Sequence, residues 1–178
     1  TLADLNLDRK LVYTVTNDTP ALAALLLMRS KDVSALGIVE GPAGSQDSRL
    51  VGNISASDLR GFTASDLPYL SLPVHRFLHY RRFCIASASV DRARRGPVSC
   101  TPDTSLADVF DKMKANAVHR VYVLDPAGKP LSVVTITDVM RALIPAGLVQ
   151  PMNTREPRKR SNVTLPSLDS HRCVLSQV

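Results

Sequence analysis

The 178-residue sequence contains no tryptophan, and its four phenylalanines and four tyrosines make up only 4% of it. A stacking platform for nucleic acid bases needs more aromatic surface than that, so nucleic acid is not expected as a partner despite a formal charge of +6. The three cysteines, Cys84, Cys100 and Cys173, are odd in number, far apart and form no CxxC pair. They read as reduced thiols rather than as a disulfide framework or a zinc site. The longest apolar runs, such as ALAALLLM from Ala21 to Met28, fall short of the roughly 18 to 20 residues that cross a bilayer. With no signal-peptide pattern at the start, an intracellular location, cytoplasmic or nuclear, is expected, with no membrane partner. The first residue is threonine rather than methionine, as it would be in a piece of a longer protein.

Chemistry-bearing patterns are also missing. No nucleophile stands at recognisable spacing from a base, and the chain has no Walker loop, no GxSxG and no cluster of metal ligands. His75 and His79 lie four apart on a helix expected through LPVHRFLHYRRF (Leu72 to Phe83), but no Glu follows the first and no third ligand is evident. The expectation is a protein that is not an enzyme, with no metal and no catalytic cofactor.

What is present is an ordinary globular composition, 44% apolar and 21% charged. Basic residues gather in two places: Arg76, Arg81, Arg82, Arg92, Arg94 and Arg95 in the middle, and Arg155, Arg158, Lys159 and Arg160 near the end. Both clusters read as solvated linker and tail. The tail from Gly147 is rich in Pro, Ser and Arg and reads as disordered or as a segment that docks on a partner. Its Asn162-Val163-Thr164 sequon carries little weight without a secretory signal.

The chain repeats itself. At an offset of 85, Thr16 to Glu40 lies ungapped over Thr101 to Asp125, with Thr16, Asp18, Thr19, Met28 and Val33 meeting identical residues. After the turn, which is five residues longer in the first copy, the offset is 80. Each copy reads as a short strand (VYTV or PVSC), a capped helix start (Asp18-Thr19-Pro20 or Asp103-Thr104-Ser105), an apolar helix, a strand (LGIV or VYVL) and a Gly/Pro turn. A returning strand and a second helix complete a β-α-β-β-α unit. A unit of about 50 residues buries too little surface alone, so the two should pack together.

Both returning strands end on a hydroxyl followed three residues later by a carboxylate: Ser55 and Asp58, then Thr135 and Asp138. A capping box explains this spacing without any ligand, and such a cap stabilises a helix by about 1 kcal/mol. The same groups also suit an adenosine phosphate, whose ribose diol wants an acceptor-only carboxylate and whose phosphate wants hydroxyls and helix N-terminal amides.

The repeated unit resembles a tandem cystathionine-β-synthase (CBS) domain pair, the Bateman module. HRVYVLDPAGKPLSVVTITDVMRAL (His119 to Leu143) is especially similar to the gamma regulatory subunits of the AMP-activated and Snf1-related protein kinases. Those subunits usually carry four units; two are present here. The resemblance implies an α/β (α+β) fold of two units stacked about a pseudo-twofold axis: residues 10–61, a linker 62–96, residues 97–145, and the tail 146–178. It implies AMP, ADP or ATP as a regulatory ligand in the clefts between the units, with Asp58 and Asp138 on ribose and Ser55 and Thr135 near ribose or phosphate. His119 and Arg120 would stand over the Asp58 site, and Thr16 and Thr101 would flank adenine or ribose. The first copy has Ser34-Ala35 where the second has His119-Arg120, and Ser132 replaces the usual glycine. The Asp58 site is therefore expected to bind a charged nucleotide in preference to the Asp138 site. The implied partner is a kinase-like complex, a larger assembly or a second CBS module, and the alternative is a structural scaffold with no obligatory ligand.

Overall fold

The computed structural model describes residues 1–41, 48–85 and 96–143, leaving aside the side chains of residue 9 and residues 82–85. These residues lie in one compact unit, Thr1–Ile144. The expectations for Arg92, Arg94, Arg95, the sequon and the tail fall outside the described residues.

Each repeat builds a three-stranded sheet. In the first, β1 (Thr14–Thr16) pairs parallel with β2 (Ala35–Glu40), which pairs antiparallel with β3 (Arg49–Ser55). In the second, β4 (Ser99–Cys100), β5 (Arg120–Leu124) and β6 (Pro130–Thr135) repeat that order. The correspondence reaches single residues: the register shifts between Ile38 and Val39 in one copy and between Val123 and Leu124 in the other.

The crossover helices α1 (Ala21–Ser30) and α3 (Leu106–Asn116) cover one face of their sheets. Apolar spacing decides which side turns inward, with Ala21, Ala24 and Met28 buried on α1 and Val109 and Met113 on α3. Both helices stop in the same way. Val33 N–H returns to Met28 O and Val118 N–H to Met113 O, each at 3.0 Å, with Asp32 and Ala117 in the left-handed region. This is the Schellman closure, made here without glycine. The starts differ from each other. Ser105 Oγ caps α3 by accepting from Asp108 N–H at 3.1 Å. On α1 the cap position is Pro20 with no side-chain cap, and Thr19 Oγ1 turns back to accept Thr16 N–H instead.

The second helix expected at the aspartate forms only in the second copy, as α4 (Ile136–Leu143). In the first copy Asp58 sits in a 3-10 turn, Ala56–Leu59, that ends at Arg60 and Gly61. Gly61 has φ +68, a left-handed conformation that glycine adopts without penalty and that breaks the helix. A second 3-10 segment, Ala64–Ser71 with Pro68 inside it, leads into α2 (Val74–Ile85). α2 matches the helix expected through Leu72 to Phe83, yet it is no solvated linker: Val74, Phe77 and Leu78 enter the first core.

Arg81 likewise departs from the expectation of a solvated cluster, being 3% exposed. Its Nε donates to Asp58 O at 3.0 Å, its Nη2 to Arg60 O, and its Nη1 lies 3.6 Å from Asp66 Oδ2. One buried guanidinium therefore fastens α2 to the turn that carries Asp58.

Two cores serve the separate sheets, and a third cluster joins them. It consists of Val39, Leu50 and Tyr122, with Val12, Leu124 and Val133 packed against it. Gly37 and Tyr122 occupy equivalent positions in the two copies and complement each other. A Cβ on Gly37 would lie 3.0 Å from Leu50 Cδ1 and 3.6 Å from the Tyr122 ring. Burial pushes the Tyr122 phenol up to about 12, so it stays neutral at the seam. A backbone bond from Leu50 N–H to Gly128 O, 3.0 Å, crosses the same boundary.

Two outcomes follow from this packing. Gly37→Val overfills the seam and should cost about 1–3 kcal/mol in urea unfolding without changing secondary structure by circular dichroism. Arg81→Met removes two charge-assisted bonds to carbonyls and should lower the melting temperature by about 5–10 °C.

Candidate functional site

The hydroxyl-carboxylate spacing folds into a capping box in both copies. Ser55 N–H and Oγ–H donate to Asp58 Oδ2 at 2.7 and 2.9 Å. Thr135 N–H and Oγ1–H donate to Asp138 Oδ2 at 2.8 and 2.6 Å. A third box stands eight residues after the first, because SASDL (Ser55 to Leu59) recurs as TASDL (Thr63 to Leu67). There Thr63 N–H and Oγ1–H reach Asp66 Oδ2 at 2.7 and 3.0 Å. The local motif is thus satisfied three times by the same backbone chemistry, and capping by itself selects no site.

The other carboxylate oxygen separates the three. Asp66 Oδ1 accepts the Tyr80 hydroxyl at 2.6 Å, and that bond, followed by the one from Thr63 N–H, holds the Asp66 carboxyl below its usual range. Tyr80 is fixed in turn by stacking on Tyr69, with ring centroids 3.7 Å apart. Asp66 is therefore a structural box. Asp138 Oδ1 and Oδ2 lie 3.2 and 3.0 Å from Lys10 Nζ. Asp58 Oδ1 has no partner among the described residues, and Asp58 is half-buried.

A cleft of about 220 Å³ opens between the units, with Lys10, Tyr13 and Ser34 from one side and Arg120, Tyr122 and Thr135 from the other. Thr135 places this cleft beside Asp138. Arg120, expected over Asp58, lines this cleft and donates from Nη2 to Ser34 Oγ across the boundary at 3.3 Å. Ser34 links it to the first motif, because Ser34 O accepts the Ala56 N–H at 3.0 Å, next to Ser55. The mirror-image bond runs from Ile136 N–H to His119 O, also 3.0 Å. Arg120 thus stands where the cleft meets the Asp58 turn, and the rest of its five donors have no partner among the described residues.

The His119 side is exposed. Thr16 and Thr101 occupy matching turns in which their hydroxyls meet those of Thr19 and Thr104 at 3.1 and 3.2 Å, and neither lines the cleft. His75 Nδ1 is 3.0 Å from Asn17 O, and among the described residues no group of three or more His, Cys, Asp or Glu could hold a metal ion. No helix among them is long and apolar enough to cross a membrane. Cys100 is a buried free thiol whose pKa burial raises.

Lys10 and Tyr13 were not picked out from the sequence. The readable signal was Ser132, a hydroxyl in place of glycine: Ser132 is fully buried, donates to Leu7 O at 2.7 Å and accepts Lys10 N–H at 3.1 Å.

Burial raises the Asp138 pKa, but the Thr135 bonds and Lys10 outweigh it, leaving the carboxyl below its ordinary value. A depressed carboxylate stabilises the fold above its unfolded pKa and loses that contribution as pH falls through its folded value. The stability gap between the wild type and Asp138→Asn should therefore be full above about pH 4 and close as acid is added. Urea titrations at stepped pH read this directly.

A family model for the CBS domain matches residues 4–64 and 88–145. Among curated proteins, the chain is 28% identical over 153 residues to the SNF1-related protein kinase regulatory subunit gamma-like PV42a of Arabidopsis thaliana, covering 80% of this chain and 41% of that protein. It is 30% identical over 137 residues to the human 5'-AMP-activated protein kinase subunit gamma-3, covering 75% of this chain and 25% of that one. The chain thus spans less than half the length of these relatives. Among solved structures, a putative signal-transduction protein with CBS domains from Burkholderia ambifaria superposes with a TM-score of 0.57 at 20% identity, over 80% of this chain and 89% of that one. The chain belongs to the CBS domain family, as a tandem pair with the Bateman-module fold that resembles the gamma subunits of these kinases.

Proposed function

We propose that this tandem pair is a non-catalytic regulatory module that binds AMP, ADP or ATP between its units and biases the activity of a partner protein. One observation carries the reading. The Asp58 carboxylate keeps Oδ1 unengaged among the described residues, while Arg120 brings unspent donors to Ser34 beside the same turn. A carboxylate oxygen accepts from a ribose diol, and a guanidinium forks onto phosphate. In this reading Ser55 acts with Asp58 and the exposed His119 with Arg120, while Thr135 and Asp138 serve a second site.

Regulation requires that the nucleotide favour one packing of the two units over another. The Gly37–Tyr122 seam is where such a change would register, because both residues line the cleft between the units. One gamma-subunit relative is named as a kinase regulatory subunit and the other as a kinase subunit, which supports a kinase complex as the partner. A second CBS module is the other partner that the resemblance implies.

A scaffold reading has its own support. The 220 Å³ cleft is smaller than the roughly 300–1,000 Å³ usual for small-molecule sites. The helices also leave Leu22 and Leu26 on α1, and Met140 and Leu143 on α4, exposed at 47–64%, as an assembly surface would.

Calorimetric titration with AMP, ADP and ATP separates the two readings. The sensor reading expects saturable heat and a loss of affinity of about tenfold or more in Asp58→Ala and in Arg120→Ala. No heat with any of the three nucleotides leaves the scaffold.

A further inference from the structure

We infer that the second cleft carries its own occupant: the Lys10 ammonium holds the Asp138 carboxylate where a ribose diol would bind, and the N-terminal strap keeps it there. The inference rests on the reading that the motif aspartates take ribose, and it makes the two clefts unequal.

The strap is built into the second unit, although it precedes the first in sequence. Leu2 is fully buried in the second core beside Val109, Val121 and Val139. Leu2 N–H donates to Thr104 O at 3.1 Å, which copies the bond from Val74 N–H to Thr19 O on the first unit. On each unit, then, a segment from outside the repeat fills the same place, α2 on the first and the strap on the second. Leu7 packs against the second core as well. Ser132 then fixes the exit of the strap with two bonds, one to Leu7 O and one from Lys10 N–H. A glycine at 132 could make neither.

Held in this way, Lys10 presents Nζ to both oxygens of a carboxylate whose side chain is only 10% exposed. Asp138 Oδ2 already accepts two bonds from Thr135, so Lys10 takes the face that its twin Asp58 leaves open among the described residues. A diol hydroxyl and an ammonium are both donors, and they compete for the same lone pairs. Lys10 also stands in the wall of the cleft beside Thr135. Its occupant is a segment of this chain, and a ribose phosphate enters once Lys10 is withdrawn.

Two measurements test this. The first does not involve nucleotide: lysines are acetylated with an N-hydroxysuccinimide ester and followed by mass spectrometry, with Lys31 as internal standard. Asp138→Asn keeps an acceptor for Thr135 and should speed labelling of Lys10 about threefold; an unchanged rate overturns the pairing. The second is AMP stoichiometry by calorimetry. It should rise from about one per chain in the wild type to about two in Lys10→Met and in Ser132→Gly, and the added site should vanish in Lys10→Met combined with Asp138→Asn. A stoichiometry that stays at one in both variants overturns the inference and leaves the proposed function standing. No binding by the wild type but binding by Lys10→Met does the reverse, removing the Asp58 site and keeping the latch. Weaker binding in Lys10→Met makes Lys10 a ligand for phosphate and overturns the inference, as does an absence of binding throughout, which also removes the proposed function.

Discussion

The packing of one sheet against the other through Gly37 and Tyr122 is the constraint on which the rest of the molecule depends. Neither repeat has enough interior to stand alone, and the third cluster of Val39, Leu50 and Tyr122 is buried only because both contribute to it. The residues at equivalent positions differ in size, the largest facing the smallest, so the seam interdigitates where two identical residues would collide or leave a void. The cleft lies along this seam, since Tyr13, Ser34, Arg120 and Thr135 line it only when the two sheets are stacked.

A second theme is the reuse of one local device for different ends. Three hydroxyl-carboxylate boxes share their backbone geometry to within a few tenths of an ångström. What distinguishes them arrives from elsewhere in the chain: Tyr80 and Arg81 from α2 at Asp66, Lys10 from the strap at Asp138, and no described side chain at the outer oxygen of Asp58. Capping consumes one oxygen of each aspartate, and the tertiary neighbours decide the fate of the other. The chemistry open to each aspartate is therefore a property of its surroundings.

Much of the architecture was legible because its cues are local. The offset repeat, the apolar spacing of Ala21, Ala24 and Met28, and the turn residues around 41 and 128 announce two copies of one unit, and the register matches down to the irregularity in β2 and β5. The same reading failed at Asp58, where it expected a helix. Gly61 and the second box at Thr63 compete with helix propagation, and α2 supplies the apolar cover instead. It failed again at Arg81, because a guanidinium that finds two carbonyls and a carboxylate is stable in an interior that composition assigns to solvent. The candidate aspartates were legible from spacing. The residues that differentiate them were not, since Lys10 lies 128 positions from Asp138.

The sequence by itself determined the repeat, the period of each element, and which residue types could accept a ribose diol or hold a phosphate, because hydrophobic periodicity and side-chain chemistry are written locally. Only the tertiary structure decided which carboxylate oxygen is already spent, which unit the N-terminal strap completes, and that Arg120 reaches Ser34 across the boundary. Those outcomes depend on contacts between residues distant in the chain, whose burial and competition for lone pairs exist only once the two units have closed on each other.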